Sequence, residues 1–508
     1  MRKPVRASLC VALLFIATST PAVWAREAIR NAGDIFPKRI AKPVYQGRWQ
    51  PIVKGRLRNG VRYAILPRQG HEAGAGLLLR NDGGFIAERR PGERGLTHLI
   101  EHVALLSPTT GSPTDRYHFL NKGLSLSLPA PSAGTTSWSE TNYFVSSKTI
   151  KPEDLDKLLG LFREVASDLT LRTDAVDEGR TQVVDEMARR KPGNDIYASY
   201  IAAVAPGSPT DVINGQNSDD VPTASVATIR ALYHRLYRPE NMMIVIVGDV
   251  SATKMRALIT QRFGSWQDVG PAAVHAPVST FKADRIAPIS YASLKESRRG
   301  VFMTVVSPLP PVPRTRKRQA QAALMDMVMV RAVNNRLALA HPDSPPNAVG
   351  MWIEHGEQGH RLIMLWNNFT GDQWRSAVGE LKQLTCNLRT GGFSEPEWSA
   401  AKQDVIHGLA ASSDTMAEMA NVELAKDLSH ALAAGSDLIP PDEMLGYAKG
   451  WFPAIGTITA NRWWNEQWVA GAEHIRVEAS ELAMVKDPVA AIRTVADNAV
   501  LAGCKVRP

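Results

Sequence analysis

Residues 95–106 read GLTHLIEHVALL. On a helix, side chains three and four apart share a side, so Leu96, Leu99, Ile100 and Val103 cover most of the circumference and require an interior helix. His98, Glu101 and His102 ride on it within a stripe about 100° wide. A buried polar group left unpaired costs roughly 1–3 kcal/mol, so the surrounding fold has to satisfy all three. Two arrangements do this: a hydrogen-bonded core cluster, or a metal ion shared by the two imidazoles.

The metal arrangement explains the spacing. Histidines four apart can bind one tetrahedral ion, and zinc accepts both imidazole nitrogen and carboxylate oxygen while leaving a position for water. Glu101, next to the second histidine, is then placed to take a proton from the attacking water and pass it to a leaving amine nitrogen. The order H-x-x-E-H reverses that of H-E-x-x-H and is the inverzincin signature. A third protein ligand must come from elsewhere in the chain.

The rest of the 508-residue chain, 44% hydrophobic and 21% charged, suits a globular protein of two or more domains. Residues 1–25 combine a basic start, the apolar run LCVALLFIATS and small residues in PAVWA, which reads as a cleavable export signal; lipidation would need Cys10 after that run, and it lies near its start. No later segment supplies the ~18 apolar residues of a membrane span, so no stable membrane anchor is expected. Removing Arg2, Lys3 and Arg6 lowers the formal charge from +9 to +6, and no basic run with interleaved aromatics points to nucleic acid. The expected location is periplasmic or secreted. There Cys386 and Cys504 are able to form a disulfide; two separate buried thiols are the alternative.

Along the chain, a lead-in (26–45) precedes strands in LRNGVRYAILPR and AGAGLLLRNDGGF, the helix at 95–106, and a strand in TSWSETNYF. A helix in DAVDEGRTQVVDEMARR is expected to stop before Pro192. A first domain is placed at 46–268, a linker at 269–283 and a second, duplicated domain without the metal motif at 284–508. His355 and His360 read as exposed loop residues, and the methionines at 325, 327 and 329 and tryptophans at 463, 464 and 468 as core.

These segments resemble the pitrilysin/insulinase family of zinc peptidases, which includes the mitochondrial processing peptidases. LRNGVRYAIL is similar to the family's opening strand, ERGLTHLIEHVALLSP to its metal helix, TSWSETNYF to its edge strand beside the catalytic centre, and INGQNSDDVPTASVATIRALYHRLYRPENMMIVIVGDV to the close of its first domain. The resemblance implies an α+β fold of two duplicated domains, each a mainly antiparallel sheet with helices packed on one face, making half of a clamshell. It implies one Zn2+ per chain, held by His98, His102 and a glutamate from a helix reading roughly E-R-x-x-V-x-x-E. Here GRTQVVDE matches, with Gly179 in place of the first glutamate, Arg180 and Val183 retained and Glu186 at the ligand position; Glu178 is the alternative third ligand.

By the same resemblance Glu101 is the general base, and Thr136, Ser137, Trp138 and Ser139 on the edge strand bind substrate. Ala133 stands where the family has asparagine, and the extra length between His102 and Glu186 falls in SLPAPSAGTT. The stretch holding His341 and Met351 lacks the family's Arg/Tyr pair, so a companion half, in a homodimer or heterodimer, would supply it. The function implied is a zinc metalloendopeptidase acting on unfolded peptides; a non-catalytic assembly or binding subunit and a zinc hydrolase of non-peptide amides are the alternatives.

Overall fold

The computed structural model describes residues 51–68, 73–115, 133–207, 218–267, 281–293, 295, 299–355 and 359–503. The expected export signal, the lead-in, most of the proposed linker and most of the SLPAPSAGTT loop lie outside them.

The first unit contains β1 (Val53–Arg56), β2 (Arg62–Pro67), β3 (Ala75–Asn81), α1 (Leu96–Leu106), β4 (Gly134–Thr136), β5 (Thr141–Ser147), α2 (Pro152–Ser167), α3 (Thr173–Val204), α4 (Val226–Leu236), β6 (Met242–Gly248) and α5 (Ala252–Phe263). The second contains β7 (Ile289–Ala292), β8 (Gly300–Pro308), α6 (Arg316–Ala340), β9 (Val349–His355), β10 (His360–Asn368), α7 (Trp374–Gly391), α8 (Glu395–Glu418), α9 (Asn421–Ala433), α10 (Pro441–Trp451), α11 (Thr457–Ala470), β11 (Ala472–Glu478) and α12 (Pro488–Gly503).

Their sheets share one plan. The strand orders are β1-β2-β6-β3-β5-β4 and β7-β11-β8-β10-β9. In each, one parallel pair (β2 with β6, β7 with β11) is followed by antiparallel neighbours. Dropping β1 superposes the two orders strand for strand, which establishes the duplication that was only faint in the sequence. By this correspondence β4 and β9 are equivalent outer strands, and α1 and α6 are equivalent helices.

The hydrophobic pattern explains how the layers stack. Along β3 and β6 every residue is buried, as a strand covered on both faces requires. One face of the first sheet, with Ile65, Leu77, Leu79, Tyr143 and Ile244, packs on helices of its own unit, including Leu99 and Val103 of α1. On its second face Leu66, Leu78, Phe144 and Val245 pack against Val422, Leu424, Ala425 and Leu428 of α9, from the other unit. Gly76 permits this approach, because a Cβ there would lie 2.3 Å from the Val422 backbone nitrogen.

The exchange is reciprocal. Tyr200, Ile201 and Val204 near the end of α3 pack on Val306 and Leu362 of the second sheet, and the Tyr200 and Thr304 hydroxyls hydrogen-bond at 3.0 Å. Arg476, 1% exposed, donates to the Ile196 carbonyl at 3.0 Å and to Ser199 Oγ at 2.9 Å. This corrects the expected helix end before Pro192: α3 runs on to Val204. An interior proline costs ~3 kcal/mol, and the apolar docking of the last turns on the second sheet offsets it. Elsewhere, buried Cys386 on α7 is disulfide-bonded; Cys504 follows α12, which packs along α7, and lies outside the described residues.

Gly76→Ala is expected to lower unfolding stability in urea by about 1–3 kcal/mol through overpacking against α9. Gly446→Ala, where an added Cβ meets nothing within 4 Å on α10, is expected to be neutral or stabilising by up to ~1 kcal/mol. Equal midpoints for the two variants would contradict the packing account.

Candidate metal centre

Helix α1 is fixed at its start by residues that sequence reasoning missed. Gly95 takes the left-handed conformation at φ 83°, and buried Glu88 accepts from the Gly95 and Thr97 backbone N–H groups at 2.8 Å and from the Thr97 hydroxyl at 2.6 Å. A side chain seven residues before Gly95, the residue that caps the helix, thus satisfies donors that the helix itself leaves unpaired. Burial pushes Glu88 up to about 8, while the Thr97 and Gly95 donors pull the other way. Next to it, Glu93 takes a two-pronged bond from Arg235 of α4, at 2.7 and 2.6 Å. The signal available in FIAERRPGERG was two glutamates closely preceding a helix, which alone does not separate a cap from a solvated acid.

Helix α3 lies against α1 because Gly179 has no side chain: a Cβ there would sit 2.9 Å from Val103 Cγ2. Val183 joins the core, and Arg180 donates to the carbonyls of Val221 and Ala224. Each position of the E-R-x-x-V-x-x-E pattern therefore has a packing role, and Glu186 is left facing the two histidines.

His98 Nε2 and His102 Nε2 are 3.2 Å apart. Glu186 Oε1 lies 3.8 Å from the first and Oε2 3.5 Å from the second. Ligands at ~2.1 Å in a tetrahedron stand about 3.4 Å apart, so the donor set fits a zinc ion. Among the described residues, His98, His102 and Glu186 form the cluster able to hold a metal, with one ligand atom from each within 4.8 Å of the others; Glu178 is not part of it. Arg190 binds Glu186 Oε1 at 2.7 Å, and Gln182 Oε1 lies 3.0 Å from His102 Nδ1.

The charges are arranged accordingly. Burial, with His102 adding, brings His98 down to about 4, so it is neutral and has a free lone pair. The hydrogen bond from His102 holds Glu186 down at about 2, as an ionised carboxylate. For His102, burial pulls the pKa down, but Glu186, Glu101 and Gln182 together raise it. A bound cation replaces the proton on that ring, so metal uptake releases protons.

Glu101 is buried beside this cluster, with Oε2 4.0 Å from His98 Nε2, and accepts from Thr136 Oγ1 at 3.1 Å. Burial pushes it up to about 7, with Glu186 adding and His102 and Thr136 opposing. A Cβ at Gly134 would fall 2.5 Å from Glu101 Oε1, so the glycine of β4 makes room for this carboxylate. The outer strand ends at Thr136 and does not run through TSWSETNYF; residues 137–140 turn before β5. Ser137 and Trp138 are buried, and Trp138 meets Phe85 edge-on, which corrects their expected place on an exposed edge. Phe85 in turn stands edge-on to His98. Ser139 bonds Glu140 at 2.8 Å, and Glu140 is also held by Arg80 at 3.0 Å and by His430 of α9 at 3.3 Å.

Away from this centre, His355 and His360 are not loop residues. They end β9 and begin β10; His355 lies 3.4 Å from Asp326 and His360 is buried against Phe281. Met325, Met329 and Trp464 are core, with Met327, Trp463 and Trp468 packed at its edge. Met351 is fully buried, and His341 faces Glu380 at 3.5 Å.

The site thus belongs to a paired-sheet α+β chain that carries H-x-x-E-H on a largely buried helix of its first unit. The insulinase (peptidase family M16) model matches residues 78–193, and the peptidase M16 inactive domain matches 223–340. Both models describe domains of the pitrilysin/insulinase family, to which the chain is similar over these stretches. It is 22% identical over 466 residues to the "Probable zinc protease PqqL" of Escherichia coli, covering 89% of this chain and 48% of that protein. It is 25% identical to the "Zinc protease PqqE" of Helicobacter pylori, over 37% of this chain and 41% of that one. The chain thus spans about half the length, or less, of these relatives. The crystal structure of the first half of the periplasmic protease PqqL from E. coli superposes with a TM-score of 0.75 at 21% identity, covering 88% of this chain and 96% of that one. No helix among the described residues is long and apolar enough to cross a membrane.

Equilibrium dialysis of the purified chain against zinc, read by elemental analysis, is expected to give one ion per chain. Glu186→Gln should lose that ion at concentrations where Glu178→Gln keeps it. Retention in the first with loss in the second would move the third ligand.

Proposed function

We propose that this chain is an exported zinc metalloendopeptidase that hydrolyses peptide bonds of unfolded peptides, with His98, His102 and Glu186 as metal ligands and Glu101 as the general base. The observation that supports it best is the convergence of two imidazole nitrogens and a carboxylate oxygen, within 4.8 Å of one another, beside a second, buried carboxylate. The names of the relatives, zinc proteases, agree with it, as does the periplasmic setting of the E. coli protein.

When bound, zinc supplies a Lewis acid that polarises the scissile carbonyl and acidifies water. Glu101 takes the proton from that water and delivers it to the leaving amine nitrogen. Burial raises the Glu101 carboxyl in the metal-free cluster, and the charge of a bound dication would draw it back down, leaving the carboxylate able to accept a proton at neutral pH. Thr136 keeps one of its oxygens in place. Strand β4 is the outer strand of its sheet, so an extended peptide pairs along it as an added strand, which favours unfolded substrates. Thr136 and Ser139 are the residues of the expected set that remain partly accessible at this edge.

The match to the first half of the E. coli protein supports a companion half that closes over the substrate. We place the missing Arg/Tyr pair there, in a second copy or a different chain.

Glu101→Gln is expected to keep zinc while cleavage of an unfolded fluorogenic peptide falls about 10²–10⁴-fold. Cleavage at the wild-type rate would remove Glu101 from the reaction. Wild-type zinc content without cleavage of any peptide, with or without a companion half, would favour the zinc hydrolase of non-peptide amides, whereas a chain that takes up no zinc would favour the assembly-subunit reading.

A further inference from the structure

We propose that Gln182 is a positioning residue of this centre: its amide oxygen holds the Nδ1–H of His102 and thereby presents Nε2 to the ion. The inference rests on the zinc reading above and goes beyond it by assigning what selects the ligand atom of His102.

The geometry carries it. His102 Nε2 points into the donor cluster, 3.2 Å from His98 Nε2 and 3.5 Å from Glu186 Oε2. Its other nitrogen points away and lies 3.0 Å from Gln182 Oε1. An amide oxygen only accepts, so this contact is made when the proton sits on Nδ1, which is the tautomer that leaves the Nε2 lone pair for a metal. Zinc-ligating histidines are commonly fixed in this way, and loss of such a partner typically costs 10–100-fold in metal affinity.

Packing does not do the job instead. His102 is only partly buried, whereas Leu99 and Val103 on either side are fully enclosed, so its ring orientation depends on hydrogen bonds. Gln182 and Glu186 are four residues apart on α3, and one face of that helix therefore offers a ligand and the group that orients another ligand. The acid that the pattern E-R-x-x-V-x-x-E places at 179 is replaced by glycine, and that glycine lets α3 approach α1 closely. The approach brings the amide of Gln182, less than one turn further on, into reach of the ring.

The test compares wild type with Gln182→Leu and Gln182→Glu, measuring zinc affinity by competition with a chromophoric chelator. Ring 15N shifts of His102 in the zinc-loaded proteins report which nitrogen carries hydrogen. Gln182→Leu is expected to bind zinc 10–100-fold more weakly and to lose the single Nδ1–H signature. Gln182→Glu, which keeps an acceptor, is expected to restore both. Thr181→Ala, on the same exposed turn, should leave affinity unchanged and controls for helix stability. Equal affinity in wild type and Gln182→Leu, or failure of Gln182→Glu to restore it, overturns the inference. Absence of zinc from wild type would instead sink the reading of the centre itself.

Discussion

Two helices meet where α1 contributes His98 and His102 and α3 contributes Glu186, and the three ligand atoms stand within a few ångströms of one another. The contact depends on small side chains more than on polar ones. Gly179 lets α3 lie on Leu99 and Val103, and the apolar remainder of α1 fixes which way the histidines point. Without that close approach the carboxylate would be out of reach of both rings. A buried and a half-buried imidazole would then have no common partner, a cost that the core would have to absorb.

Among the described residues the second unit supplies none of the three candidate ligands, yet it braces the helix that carries Glu186. The last turns of α3 are docked on the second sheet and clamped by Arg476, while α9 covers the far side of the first sheet and its His430 reaches Glu140 at the turn after β4. One of the two helices that face each other across the metal site, α3, and the turn after the edge proposed to receive substrate are therefore tied to the other unit. The duplicated unit, whose sequence carries no H-x-x-E-H motif, has a mechanical role. This is a physical reason for the two units to persist as one body.

Much of this could be read from residues alone. The interior character of α1, its H-x-x-E-H spacing and the position of Glu186 followed from periodicity and a resemblance, and the geometry brings those residues together. The α+β class followed from the resemblance, and the duplication was only faintly legible in the recurring order of strand and helix segments. What escaped notice depends on contacts distant in sequence. Pro192 is a local stop signal that docking on the second sheet overrides. Trp138 and Ser137 look like exposed strand residues until the turn at 137–140 folds them inward. Glu88 and Gln182 are ordinary polar residues whose partners, a helix end and an imidazole ring, are defined only once the chain is packed. The exchange of covering segments between units left one trace in the sequence, the unbroken apolar run of β6, which signals burial on both faces but not by what.

The central claim is that His98, His102 and Glu186 jointly hold one ion. Crystals of the full chain grown with zinc, with diffraction recorded on both sides of the zinc absorption edge, test it most directly. The account predicts a single strong anomalous peak about 2.0–2.2 Å from one nitrogen of each imidazole and one oxygen of Glu186. A peak elsewhere, or none at this cluster with the metal in excess, would contradict it.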